Sequence, residues 1–206
     1  MKSTVIKYIF IVFLILYFIN LMISYKDIVN KLDILSIYPY CISGAGFGLL
    51  YYVILKKYFT FWEVFLHELT HVTFTLLTFN KIESFSASFS GGSTVYRGKS
   101  TLLIRLSPYC FPLISSFLMV TSIIIKNSFL PYFFHLISVS YTLFICSVFT
   151  HFRFDQPDIK KSGIVVSLVF VSIINILFLG LVIFFLQQDV LSYTKILLDA
   201  FFWKFS

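Results

Sequence analysis

A helix needs about 20 mostly apolar residues to cross the hydrocarbon of a bilayer. This sequence offers six such runs, at about 6–24, 39–55, 58–79, 102–125, 131–150 and 163–186. With 59% hydrophobic and 12% charged residues among 206, and a mean hydropathy of +0.93, the chain is too apolar for a soluble domain of its size. The expected fold class is an all-α polytopic membrane protein of about six transmembrane helices, and its first partner is the lipid bilayer. The net charge of +7 does not point to nucleic acid, because the 16 Lys and Arg fall singly or in pairs between apolar runs instead of forming a basic face. They read as membrane-flanking charges. Their distribution leaves orientation open: Lys2, Lys7, Lys56, Lys57, Lys126, Lys195 and Lys204 fall on one side, and Lys26, Lys31, Lys81, Arg97, Lys99, Arg153, Lys160 and Lys161 on the other.

The chain reads as one membrane-embedded domain, 1–206, with anchor helices over 6–55, a core over about 58–186 and a C-terminal amphipathic segment, 187–206. Lys2 and Lys7 precede the first run and no small-residue cleavage site follows it, which predicts a retained anchor and not a removed signal peptide. The second run is short and holds Ser43, Gly44, Gly46 and Gly48, the composition of either close helix packing or a re-entrant segment. Cys41, Cys110 and Cys146 lie in or beside apolar stretches with no CxxC spacing, as buried thiols do.

One connection differs in kind. Between 81 and 98, Phe85, Ala87 and Phe89 alternate with Ser84, Ser86, Ser88 and Ser90, and Gly91-Gly92 then precedes a run with Val95 and Tyr96. That pattern predicts a membrane-associated β-hairpin closed by a tight primed turn. Its open edge would suit an unwound substrate strand, with Phe89, Gly91 and Gly92 as candidate substrate-binding residues.

His67 and His71 stand four apart in the apolar run before this connection, so on a helix their rings project from one face about 6 Å apart, close enough to share a metal ion. Glu68 is turned away from direct ligation but within reach of a metal-bound water. This H-E-x-x-H arrangement is that of zinc hydrolases, two imidazoles on the metal and a carboxylate as general base. Two His and a Glu inside a membrane run are expensive unless they have a purpose. A catalytic zinc needs a third protein ligand, for which His151, Asp155 and Asp158 are the candidates, all before the last long run. Asp158 follows Pro157, a favoured helix start, and is the preferred choice. Glu63, four residues before His67, shares its face and is placed either to orient a ligand or bind substrate, or to face headgroups or Lys57. His135 reads as a packed polar contact.

These residues resemble the site-2 protease family of intramembrane zinc metalloproteases, and more closely its small bacterial members without PDZ domains. The resemblance covers about 58–186 and rests on His67-Glu68-Leu69-Thr70-His71, the Gly91-Gly92 loop, Ser107-Pro108-Tyr109-Cys110-Phe111-Pro112, and Gln156-Pro157-Asp158-Ile159 with the residues to Gly163. Where the family carries Leu-Asp-Gly in its later motif, Asp158 here stands between Pro157 and Ile159. The resemblance implies Zn2+ held by His67, His71 and Asp158, and Glu68 activating a zinc-bound water. It also implies a membrane-protein or peptide substrate and a bacterial cell membrane. The alternative function is a non-proteolytic metal-binding membrane protein, either a transporter or an inactive relative serving as chaperone or receptor.

Overall fold

The computed structural model describes residues 2–23 and 33–201. The elements run in the order α1 (Lys2–Ile23), α2 (Ile34–Leu77), β1 (Lys81–Ser88), β2 (Gly91–Arg97), α3 (Leu102–Cys110), α4 (Leu113–Ser122), a 3-10 turn (Asn127–Phe129), α5 (Leu130–His151), α6 (Pro157–Ser162), α7 (Ile164–Leu186) and α8 (Val190–Phe201). The fold is mainly helical with one small sheet. Among the described residues, three helical segments are long and apolar enough to cross a membrane: Ile34–Leu77, Asn127–His151 and Ile164–Leu186. A fourth is gained if α3 and α4 make one broken span. Helix α1, only part of whose side chains is described, is not among them.

The expected six spans are therefore not supported, and two local causes are visible. The second and third runs fuse into α2, a single helix of 44 residues. At 1.5 Å per residue it is about 66 Å long, roughly twice the hydrocarbon thickness. Its small residues pack instead of breaking it, as a Cβ on Gly44 would run into Ser138 and one on Gly48 into Thr142, both on α5, while Gly46 faces open space. The close-packing reading of that stretch holds. Ser43 Oγ and His135 Nδ1 meet at 2.5 Å in the same seam, so His135 is the packed polar contact that was expected.

The run at 102–125 is cut in two. Pro112 has no N–H to continue α3 and pushes Phe111 into extended geometry (φ −115°, ψ 107°), so α4 leaves at 76° to α3. Ser115 on α4 then bonds Ser140 on α5 at 2.8 Å.

The hairpin forms over the predicted residues, but its turn is Phe89-Ser90, with Ser88 opposite Gly91. The glycine pair serves β2 instead. Gly91 adopts φ 149°, which only glycine takes without strain, and Gly92 lies against α2. A bulge at Glu83 ends the regular register, and Glu83 pairs there with Arg97 at 2.9 Å.

Two compact units are distinguished, Met1–Pro39 with Val165–Ser206, and Tyr40–Ile164. In the first, α8 lays Tyr193 on Phe184 of α7 with ring centres 5.2 Å apart, and its hydroxyl donates to Leu177 O at 2.7 Å. Phe201 meets Phe13 and Tyr17 of α1 edge-on, and the Asn20 amide donates to Ala200 O. The predicted C-terminal segment thus contains a helix; its last five residues, 202–206, lie outside the described residues, as do Lys26 and Lys31 of the charge count and residue 24 of the first run. Cys110 is buried, whereas Cys41 and Cys146 are only half-buried; all three are free thiols.

Candidate metal centre

The second unit holds all the residues of the candidate site. Helix α2 carries His67 and His71 on one face, ring centres 5.0 Å apart, as their spacing of one turn requires. His71 is buried, and its Nδ1 stands 2.8 Å from Ile104 O on α3. A carbonyl only accepts, so Nδ1 carries a proton, and Nε2 is the ring nitrogen left to face the site, donating when protonated and offering a lone pair when not. That Nε2 faces Asp158 Oδ2 at 3.3 Å.

Asp158 arrives on α6, a six-residue helix with Pro157 in its first turn, and Gly163 (φ 93°) ends it where other residues would be strained. Ile159, fully buried, fixes the rotation of α6. Arg105 on α3 donates to Ser162 Oγ at 2.9 Å and to Ser100 O at 3.0 Å, while Tyr96 at the base of β2 donates to Ser100 Oγ. One chain of hydrogen bonds thus ties hairpin, α3 and α6 together. Burial alone would raise the Asp158 carboxyl, but the hydrogen bond and charge of His71 outweigh it and hold the group below its ordinary value.

Glu68 is buried, and its Oε2 accepts from Thr94 Oγ1 on β2 at 2.7 Å. The hairpin lies this close because Gly92 has no side chain: a Cβ there would stand 2.5 Å from Glu68 Cγ and 2.9 Å from Val64 Cγ1. Tyr109, buried on α3, sets its ring edge-on to His67 at 5.2 Å and to Phe152 at 5.5 Å, closing the opposite wall.

The three candidates for third ligand separate. Ligand atoms of His67, His71 and Asp158 all lie within 4.8 Å of one another. Asp155 pairs with Arg153 at 3.2 Å and is exposed, and His151 turns Nδ1 to Ser147 O at 3.0 Å and Nε2 towards Glu63 at 3.9 Å. Of the hairpin residues, Gly92 is at the site. Phe89 is exposed at the turn against Phe61 (5.4 Å), which precedes His67 by about 9 Å along the helix axis.

The donor set could hold a divalent metal ion. Imidazole and carboxylate are common ligands of such ions; His71 and Asp158 stand 3.3 Å apart, and the whole set lies within 4.8 Å. The sequence assigns no site role to Thr94, Arg105 or Tyr109, the last named only within the Ser107–Pro112 motif, because all three reach the site through tertiary contacts. The serine and threonine content of the hairpin was the one available signal for Thr94. Comparison with protein-family models, curated proteins and solved structures finds no match to the chain.

Proposed function

We propose that the chain is a multi-pass membrane zinc endopeptidase of the site-2 protease type, of the small bacterial kind, cutting membrane-associated proteins or peptides. The observation that carries this reading is the convergence of Asp158, from a short helix far along the chain, on the two histidines of a complete H-E-x-x-H helix.

His67, His71 and Asp158 would hold the metal. Bound there, zinc would supply Lewis acidity, making water a nucleophile near neutral pH and polarising a peptide carbonyl. The work of the protein is to hold and move protons around that centre. The Ile104 carbonyl fixes the His71 tautomer, and the chain through Arg105 holds the helix of Asp158 in place. Thr94 occupies Glu68 Oε2, which leaves Oε1 to take the proton from an attacking water and return it to the departing amine.

Helical substrates hide their peptide bonds, so the segment to be cut must be extended. The two-stranded sheet leaves each strand one edge outside its own ladder, and β2 runs beside Glu68. A substrate strand added to that edge would present its backbone to the base.

Metal content and membrane-proteome analysis test the reading together. The expected result is one zinc per chain, lost in His67→Ala and Asp158→Ala, and membrane-protein fragments that appear with the wild-type chain but not with Glu68→Gln, which keeps its zinc. Cleavage retained in Glu68→Gln would defeat the mechanism, and stoichiometric metal without any fragment would favour a non-proteolytic metal-binding protein.

A further inference from the structure

A cavity of about 110 Å³ lies against the metal centre, with His67 on its wall. Packed interiors leave few voids larger than a water, and an empty one of this size is a cost to the fold unless something occupies it. Pro108, Phe111 and Pro112, where α3 breaks from α4 at 76°, form one side of it. The polar groups on the wall are already engaged. Thr70 Oγ1 donates to Leu66 O at 2.7 Å, Ser140 Oγ donates to Ile137 O and accepts from Ser115 at 2.8 Å, and Ser147 Oγ meets His151 Nδ1 at 3.3 Å. Glu63 has the Tyr52 hydroxyl and His151 Nε2 (3.9 Å) as partners, and its Oε1 is inaccessible.

The cavity therefore offers a guest apolar contact, and a polar or charged guest would lose its water without recovering its hydrogen bonds. Volume sets the size of the guest: a dry cavity of roughly 150 Å³ accepts the six carbons of benzene, so 110 Å³ suits about four. Leucine and isoleucine side chains have four carbons. A phenylalanine side chain, with seven, is too large, and a lipid acyl chain is several times too long. Position then says where the guest comes from. His67 is both a metal donor and part of the cavity wall, so a peptide whose carbonyl reaches the metal carries its neighbouring side chains past the cavity.

We infer that this cavity is a substrate subsite for an aliphatic side chain of leucine or isoleucine size, on a residue next to the bond that is cut. The inference rests on the proteolytic reading above for the word substrate, and on the cavity itself for the size and apolarity of the side chain. It gives the break at Pro112 a function as well as a cause, since the break borders the space that receives the side chain.

The full-length chain in lipid nanodiscs, given decapeptides randomised at every position, tests this by the residues found around each cut. Leucine or isoleucine should be enriched at one position beside the cut. Replacing it by alanine or by phenylalanine should lower kcat/KM at least about tenfold, the scale of a methylene gained or lost in an apolar pocket. Phe144 lines the cavity, so Phe144→Ala should enlarge it and lower the leucine-to-phenylalanine ratio of kcat/KM at least about tenfold, by a gain on phenylalanine that a misfolded variant cannot give. Leu143→Ala, on the same wall, makes the comparison if Phe144→Ala does not fold. Cleavage without aliphatic enrichment in the wild-type chain, or a ratio unmoved in the enlarged cavity, overturns the subsite. If the wild-type chain cuts nothing, the proteolytic reading fails separately, and binding decides for the cavity. With Trp203→Phe leaving Trp62, on the cavity wall, as the only tryptophan, a leucine hexapeptide should quench its fluorescence at least about tenfold more tightly than the phenylalanine analogue. No quenching, or equal or tighter binding of the phenylalanine peptide, as partition into lipid or an acyl chain filling the cavity would give, overturns the inference.

Discussion

Two carboxylate–histidine pairs join α2 to later segments of the same unit, about two turns apart on α2, and only one has the form of a metal site. His71 on α2 meets Asp158 on α6 at 3.3 Å, and Glu63 on α2 meets His151 on α5 at 3.9 Å with the residue types exchanged. In the first pair the imidazole is fixed from behind by a carbonyl of another helix and a second imidazole, His67, adds a third donor. In the second the imidazole bonds a carbonyl of its own helix, and no third donor joins the pair among the described residues. Proximity of acid and histidine is therefore not what makes a ligand set. Convergence of a third donor and outside anchoring of the ring are.

That contrast predicts a graded series. Removing Glu68 as base, by Glu68→Gln, should lower cleavage by about 10²–10⁴-fold with zinc retained, measured as turnover of a reporter substrate in proteoliposomes. Thr94→Val leaves the Glu68 carboxylate without its donor, a loss of about 1.5–3 kcal/mol for a hydrogen bond to a charged group, or roughly 10–100-fold in kcat/KM, again with zinc retained; metal loss in that variant would mean that the hairpin supports the ligands and not the base. Arg105→Ala should weaken zinc binding by about tenfold, as loss of an outer-shell contact does, read by competition with a chelator of known affinity. Smallest of all should be Asp155→Ala, whose partner Arg153 is exposed like itself; a change in metal affinity above about twofold would put it back among the ligands.

How much of this was legible in the sequence follows the range of the interactions. The H-E-x-x-H helix and the hairpin are set by local spacing, so His67, Glu68, His71 and the strand pair could be read directly. The Pro157 helix start favours Asp158 over Asp155 and His151, a local signal for a long-range contact, and in the fold Asp158 lies with the two histidines. What local pattern could not supply is seen in α2 and Pro112. Nothing within residues 39–79 says that one helix runs through both apolar stretches or that Gly44 and Gly48 will meet Ser138 and Thr142. Hydropathy likewise cannot see that a proline will turn one apolar run through 76°. By sequence the Gly91-Gly92 pair reads as the turn, because glycine signals positive φ and close approach equally well; in the fold it supplies both, just after the turn.

The central claim is that three donors, from α2 and α6, form one metal site distinct from the Glu63–His151 pair. Zinc bound per chain, measured by inductively coupled plasma mass spectrometry on the purified wild-type, Asp158→Asn and His151→Ala chains, tests it most directly. The account predicts about one zinc in the wild-type and His151→Ala chains and a large loss in Asp158→Asn. Full zinc in Asp158→Asn, or its loss in His151→Ala, would contradict it.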